Sequence, residues 1–323
     1  MHKTVPRGGL QPMIICKFGG SSVADADHVR KVKSILESDE RRSIVVVSAP
    51  GRRFSEDEKV TDLLYECAAL VSEGKSCTTV FRKVEERYRT LLKDLGMDET
   101  LLDGELSTVF SDINSAKGAD YAASRGEYLS AQLVSAYLGW EFVDTVPHIL
   151  VQEDGTPALS SIKNLSQALS GGGKYVLPGF YGINADGHIK TFSRGGSDIT
   201  GAIVARAAKA ELYENWTDVS GVFAVDPRIV PHARVIPELT YHEVRDLAAV
   251  GAGMKKQLLR LLLPVFLLLS RIPMPPWMQV LPLYSKEMQR LLLWWVCPPR
   301  KAIAASCFIS LCCSSSPASG WLC

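Results

Sequence analysis

Residues 43–49, Ser-Ile-Val-Val-Val-Ser-Ala, centre on an unbroken run of β-branched side chains. A strand with one wet face alternates polar and apolar residues, whereas a continuous run belongs to a strand covered on both faces. Strands covered in that way are typical of parallel sheets packed between helices, and this segment therefore points to such a sheet.

The rest of the first 253 residues agrees. Residues 13–16 are a second apolar strand, followed by a helix over 25–38 whose Val29, Val32 and Leu36 make one inward stripe. Amphipathic stretches at 58–73, 78–96, 100–116 and 125–138 predict further helices. Short strands are expected at 141–145, 175–178 and 188–193, then a helix over 197–210 and a strand over 211–216. Alternating strands and helices define an α/β sandwich.

Charge narrows the partners. Lysine and arginine number 36 against 35 acids, a formal net charge of +1, so no nucleic acid or anionic membrane is expected. No signal-length apolar run precedes Cys16, and no segment reaches the roughly 18 apolar residues of a membrane span, which predicts a cytoplasmic protein. Cys16, Cys67 and Cys77 are too widely spaced for a zinc or redox motif and are expected to be reduced thiols; no protein-held metal is expected.

Two glycine turns carry the chemistry. In "CKFGGSSV" (16–23) a strand ends in Lys17, and Gly19 and Gly20 precede a helix. Glycines admit close backbone approach, and amides at a helix start attract anions. Lys17 would then face a phosphate; otherwise it is a surface lysine beside a β-turn. In "TFSRGGSDITGAIVARA" (191–207) Arg194 precedes two glycines, and Ser197, Asp198 and Thr200 follow. An arginine there can clamp a carboxylate through two parallel hydrogen bonds, or pair with a core-edge acid. Two such turns in one sheet suit a phosphorylated and a carboxylated ligand meeting at the strands' carboxyl ends. "SGGGK" (170–174) lacks the hydroxyl residue and the helix of a P-loop and is expected to be a turn.

Five ordered motifs, "KFGGSSV", "SRGEYLSAQL" (124–133), "GFYG" (179–182), "FSRGGSDITGAIVA" and "NWTDVSGVFAVDPR" (215–228), resemble the aspartate kinases of the amino acid kinase superfamily over residues 13–253. The resemblance implies a three-layer αβα sandwich around a mainly parallel sheet. It implies ATP-dependent phosphorylation of the β-carboxylate of L-aspartate to 4-phospho-L-aspartate, the first step toward lysine, threonine, methionine and diaminopimelate, with Mg2+ bridging the nucleotide phosphates. Carried onto this chain, Lys17 and Asp198 would be catalytic. Lys17, Phe18, Gly19, Gly20, Ser48, Thr217, Asp218, Phe223 and Arg228 would hold the nucleotide. Thr61, Glu127, Arg194, Gly195, Gly196 and Ser197 would hold aspartate. Glu127 would take the substrate ammonium and Arg194 its α-carboxylate. Alternatives are a related kinase acting on glutamate or uridylate, or an inactive ligand-binding remnant.

Residues 254–323 differ in kind. They contain five of the eight cysteines, four of the six tryptophans and a single acid, Glu287. Codons ATG AAG AAG CA for Met254 to the start of Gln257, framed one nucleotide earlier, encode His-Glu-Glu-Ala. Codons for Ser270 to Val280, framed likewise, encode Val-Lys-Asn-Thr-Asn-Ala-Pro and onward. Both are stretches that the resemblance implies at these places. The expectation is a frameshifted, disordered tail replacing the end of the kinase domain and the ACT modules through which the family usually forms homo-oligomers.

Overall fold

The computed structural model describes residues 13–192 and 195–216, and beyond them the backbone of five short strands. Strand β1 (Ile14–Phe18) is buried along its whole length, and β2 (Arg42–Val47) nearly so. Between them α1 (Ala26–Glu37) starts at Asp25, whose carboxylate accepts the His28 amide at 2.9 Å and satisfies one of the orphan donors of the first turn. Four helices follow: α2 (Val60–Ser72), α3 (Thr78–Asp94), α4 (Asp103–Asn114) and α5 (Ala119–Leu138). After β3 (Glu141–Phe142) come α6 (Ser160–Ala168), β4 (Tyr175–Pro178), β5 (Tyr181–Ile183), β6 (Ile189–Thr191), α7 (Gly196–Ala207) and β7 (Leu212–Trp216). The remaining strands are β8 (Val222–Phe223), β9 (Val235–Ile236), β10 (Leu239–Thr240), β11 (Leu268–Arg271) and β12 (Arg290–Leu291).

The main sheet has the order β11-β7-β1-β2-β4-β3, and every pairing in it is parallel. Side chains alternate across it. Ile14, Cys16, Phe18, Val45 and Val47 pack against α1 to α5, whereas Ile15, Ile44, Val46 and Tyr213 pack against α6 and α7. Two apolar cores on opposite faces of one parallel sheet make the three-layer αβα sandwich, as the continuous apolar strands require.

Differences from the sequence expectations have local causes. Helix α5 begins at Ala119, six residues before the predicted start, because its first turns are buried through Tyr121, Ala122 and Ala123. The strand expected over 141–145 is cut to Glu141–Phe142, with one further hydrogen bond from the Val143 amide to the Val176 carbonyl at 3.0 Å. The strand expected over 188–193 is β6, which forms an antiparallel hairpin with β5 outside the main sheet. Helix α6 was not anticipated, although Ile162, Leu165 and Leu169 have helical spacing. The "SGGGK" stretch is the turn from α6 into β4, with Gly172 at φ 70°. Of residues 254–323, for which disorder was expected, the described part is the backbone of β11, paired to β7, and of β12, paired to β10.

Among the described residues no helix is long and apolar enough to cross a membrane.

Candidate active site

Lys17 is the fourth residue of β1 and points toward α7, the face opposite Phe18. Its Nζ lies 2.7 Å from Oδ1 of Asp198 in the first turn of α7, and each side chain is 9% exposed. Asn215, the register partner of Lys17 on β7, donates from Nδ2 to the same Oδ1 at 3.3 Å. A buried ammonium held by one carboxylate retains two N–H directions for another anion.

The glycines after Lys17 are fixed by their neighbours. The Gly19 amide donates to the Trp216 carbonyl at 3.0 Å, and the Gly51 amide donates to the Gly20 carbonyl at 2.9 Å. Phe18 has its side chain fully buried, stacked on Trp216 with ring centroids 5.8 Å apart; its carbonyl accepts the Ser48 amide at 3.1 Å. Only the backbone of Phe18 is therefore directed to the turn.

Glu127, near the middle of α5, is 5% exposed, and its Oε2 has no hydrogen-bond partner. Burial pushes its carboxyl up to about 8, opposed by the backbone amides of Ala49 and of Glu127 itself and by the positive charges of Lys17 and Arg125. A buried carboxyl with an unused oxygen costs free energy unless a donor meets it. A cationic ligand would meet it.

The loop from Ser48 to Lys59 brings the Ala49 amide to Glu127 and leads into Thr61, half-buried in the first turn of α2. Arg87 on α3 clamps this loop, donating to the Gly51 carbonyl at 2.9 Å, to Asp57 at 2.6 Å and to the Glu58 carbonyl at 3.1 Å. Arg53 also grips Asp57, donating from Nε to the same Oδ2 at 2.8 Å and from Nη2 to Oδ1 at 2.9 Å. Those hydrogen bonds and charges keep the Asp57 carboxyl far below the usual carboxylate range.

The second glycine turn caps α7. Gly195 is in the left-handed region at φ 78° and precedes Gly196 and Ser197, both buried. Phe180, at φ 81° in the "GFYG" motif, is a bulky residue in the same region. Thr200 holds it there by accepting the Phe180 amide at 3.1 Å, and a side chain at Gly196 would meet the Phe180 ring at 2.6 Å. Strain of this kind persists only where its surroundings enforce it, and it gathers at ligand sites.

The structure thus brings together Lys17, Asp198, Gly19, Gly20 and Ser48 at the carboxyl ends of β1 and β2, with Glu127 near enough to feel the Lys17 charge. Arg194, Thr217, Asp218, Arg228 and the side chain of Phe223 lie outside the described residues. Sequence reasoning did not single out Asn215, which sits in the "NWTD" motif, nor Arg87, whose role depends on a loop thirty residues earlier. Phe180 carries no signal in sequence, because nothing in a phenylalanine codes for positive φ.

Residues 12–266 match the model of the amino acid kinase family. This chain belongs to that family. It is 37% identical over 253 residues to Aspartokinase 3 of Bacillus subtilis, covering 74% of this chain and 56% of that protein. It is 31% identical over 271 residues to an aspartokinase of Chlamydia trachomatis, covering 78% of this chain and 61% of that one. Among solved structures it resembles aspartate kinase from Clostridium acetobutylicum, with a TM-score of 0.71 and 39% identity, over 78% of this chain and 57% of that one. It also resembles E. coli aspartokinase III in complex with lysine and aspartate, with a TM-score of 0.66 and 25% identity, over 82% and 63%. The chain therefore spans a little over half the length of the relatives it matches.

Proposed function

We propose that this chain is an aspartate kinase, transferring the γ-phosphoryl group of ATP to the β-carboxylate of L-aspartate in the cytoplasm. The observation that carries the reading is the Lys17–Asp198 pair at a glycine turn, with the unpartnered Glu127 carboxyl in its field; the relatives named aspartokinase support it.

The roles follow from charge. Lys17, with the backbone of Phe18, Gly19 and Gly20, receives the transferring phosphate, and Asp198 and Asn215 hold the ammonium in line. Ser48 stands beside the phosphates; Thr217, Asp218, Phe223 and Arg228 serve the nucleotide. Glu127 binds the substrate ammonium and Arg194 its α-carboxylate, with Thr61, Gly195, Gly196 and Ser197 closing the substrate side. The attacking β-carboxylate is already ionised, so no general base is required: its oxygen bonds to the γ-phosphorus as the bond to the β-phosphate oxygen breaks, releasing ADP. Transfer of this kind depends on alignment and charge stabilisation. Magnesium would arrive on the nucleotide phosphates and neutralise them further.

A coupled ADP-release assay tests the proposal. Turnover with aspartate and not with glutamate or UMP is expected. ATP binding without aspartate-dependent turnover would assign the chain to ligand binding alone. We also propose that residues 254–323 arise from a shifted reading frame. Resequencing the gene around codon 254 decides this: a neighbouring frame that encodes neither His-Glu-Glu-Ala nor Val-Lys-Asn-Thr-Asn-Ala-Pro ends the idea.

A further inference from the structure

Residues 49–51, just past the end of β2, are wedged between the two sides of the site. On one side the Gly51 amide donates to the Gly20 carbonyl at 2.9 Å, and a Cβ on Gly51 would lie 2.8 Å from the Gly20 carbonyl carbon. On the other side Gly126, the residue before Glu127 on α5, would place a Cβ 2.8 Å from the Ala49 methyl. A glycine in mid-helix weakens the helix, and this close approach accounts for it. The segment is therefore a spacer between the turn after Lys17 and the helix that carries Glu127.

Two consecutive residues of α3 hold the spacer in place. Arg87, 5% exposed, donates from Nη1 to the Gly51 carbonyl at 2.9 Å, and from Nη2 to Asp57 Oδ2 at 2.6 Å and the Glu58 carbonyl at 3.1 Å. Tyr88, fully buried, donates to the Gly126 carbonyl at 2.6 Å. The loop closes on itself around the guanidinium, with the Val60 amide donating to the Pro50 carbonyl at 3.3 Å and the Arg53 amide to Asp57 Oδ2 at 3.0 Å. A planar guanidinium reaches all three acceptors at once, which the point charge of a lysine does not. We propose that Arg87 is a positioning residue for phosphoryl transfer: by locking residues 49–51 between Gly20 and Gly126, it fixes the separation of the phosphate turn from the Glu127 side of the pocket. The proposal rests on the assignment of the Gly19–Gly20 turn to the phosphate and of Glu127 to the amino-acid substrate.

The experiment compares the full-length parent with Arg87→Gln and Arg87→Lys by hydrogen–deuterium exchange without ligand and by steady-state kinetics. Asp57 stays paired with Arg53 in both variants, so no buried carboxylate is stranded. In Arg87→Gln, peptides covering 18–24 and 47–60 are expected to exchange about tenfold faster or more, while peptides of α6 keep the parent rate. A misplacement of about 1 Å remote from the chemistry costs roughly a hundredfold in rate, so kcat with aspartate should fall by about that factor while the KM for ATP holds. Exchange that rises equally in α6 makes Arg87 a general support of the fold and overturns the proposal. Unchanged exchange over 18–24 in folded Arg87→Gln overturns it too, as does a localised rise with the parent kcat. Should Arg87→Gln fail to fold, Arg87→Lys, which keeps the charge beside Asp57 without spanning the carbonyls, is read by the same criteria. A parent without aspartate turnover removes the function assigned to the chain, and the exchange pattern alone then decides whether Arg87 couples the two sides.

Discussion

The Lys17 ammonium, at the carboxyl end of β1, sits 2.7 Å from Oδ1 of Asp198 in the first turn of α7, with both side chains almost excluded from water. The contact ties the two glycine turns into one site.

Breaking that contact is expected to cost stability as well as activity. A buried pair stripped of one partner leaves an uncompensated charge, worth roughly 3–5 kcal/mol. Lys17→Met and Asp198→Asn should each lower the unfolding free energy in urea, and the double variant should lose less than the sum. Under the proposed function, Lys17→Ala should also reduce aspartate turnover by about a thousandfold or more. Additive stability losses, or near-parent turnover in Lys17→Ala, would contradict the arrangement.

Glu127 sets a pH dependence. Its carboxyl is raised from 4.5 in the unfolded chain to about 8 in the folded one. Between these values the native state holds a proton that the unfolded state has released, so stability falls as pH rises through this window. At about 1.4 kcal/mol per unit the effect is on the order of 5 kcal/mol. Thermal unfolding of Glu127→Gln, measured from pH 5 to about 8, should lack this fall, and aspartate should partly abolish it in the parent.

Gly20 and Gly104 should respond oppositely to alanine. A Cβ on Gly20 would lie 2.8 Å from the Ala49 carbonyl oxygen and 3.2 Å from the Gly51 nitrogen, both backbone atoms that cannot swing away. Gly20→Ala should destabilise by about 1–3 kcal/mol. Gly104, in the first turn of α4, has nothing within 4 Å of the added methyl. Gly104→Ala should stabilise by about 0.4–1 kcal/mol, and chemical denaturation compares the two.

Cys16 belongs to a buried network. Glu214 accepts from Arg42 at 2.8 Å and from the Trp216 indole at 3.0 Å, and the Cys16 thiol lies 3.4 Å from the same carboxylate. Burial and the Glu214 charge push the thiol well above its ordinary range. Peptide mapping after alkylation at neutral pH should find Cys16 unmodified in the folded protein and labelled in denaturant. Glu214→Gln should lower stability by roughly 3–5 kcal/mol, because the Arg42 guanidinium is left buried.

The sheet and the glycine turns were legible because they depend on local pattern. An apolar run such as Val45-Val46-Val47 can satisfy its backbone and its side chains together only inside a two-faced sheet. Lys17 and Asp198 could each be marked from the glycine turns flanking them. Their 2.7 Å contact could not, since it follows from which strand lies beside β1.

Local sequence thus determined the layers, the glycine turns and the family, because hydrophobic periodicity and glycine placement act within a few residues. Tertiary structure alone decided that Asn215 joins the Lys17 pair and that Arg87 clamps the loop feeding Glu127. Those relationships are set by packing between segments far apart in the chain. Electrostatic strength there depends on distance and burial, neither of which is written in the order of residues.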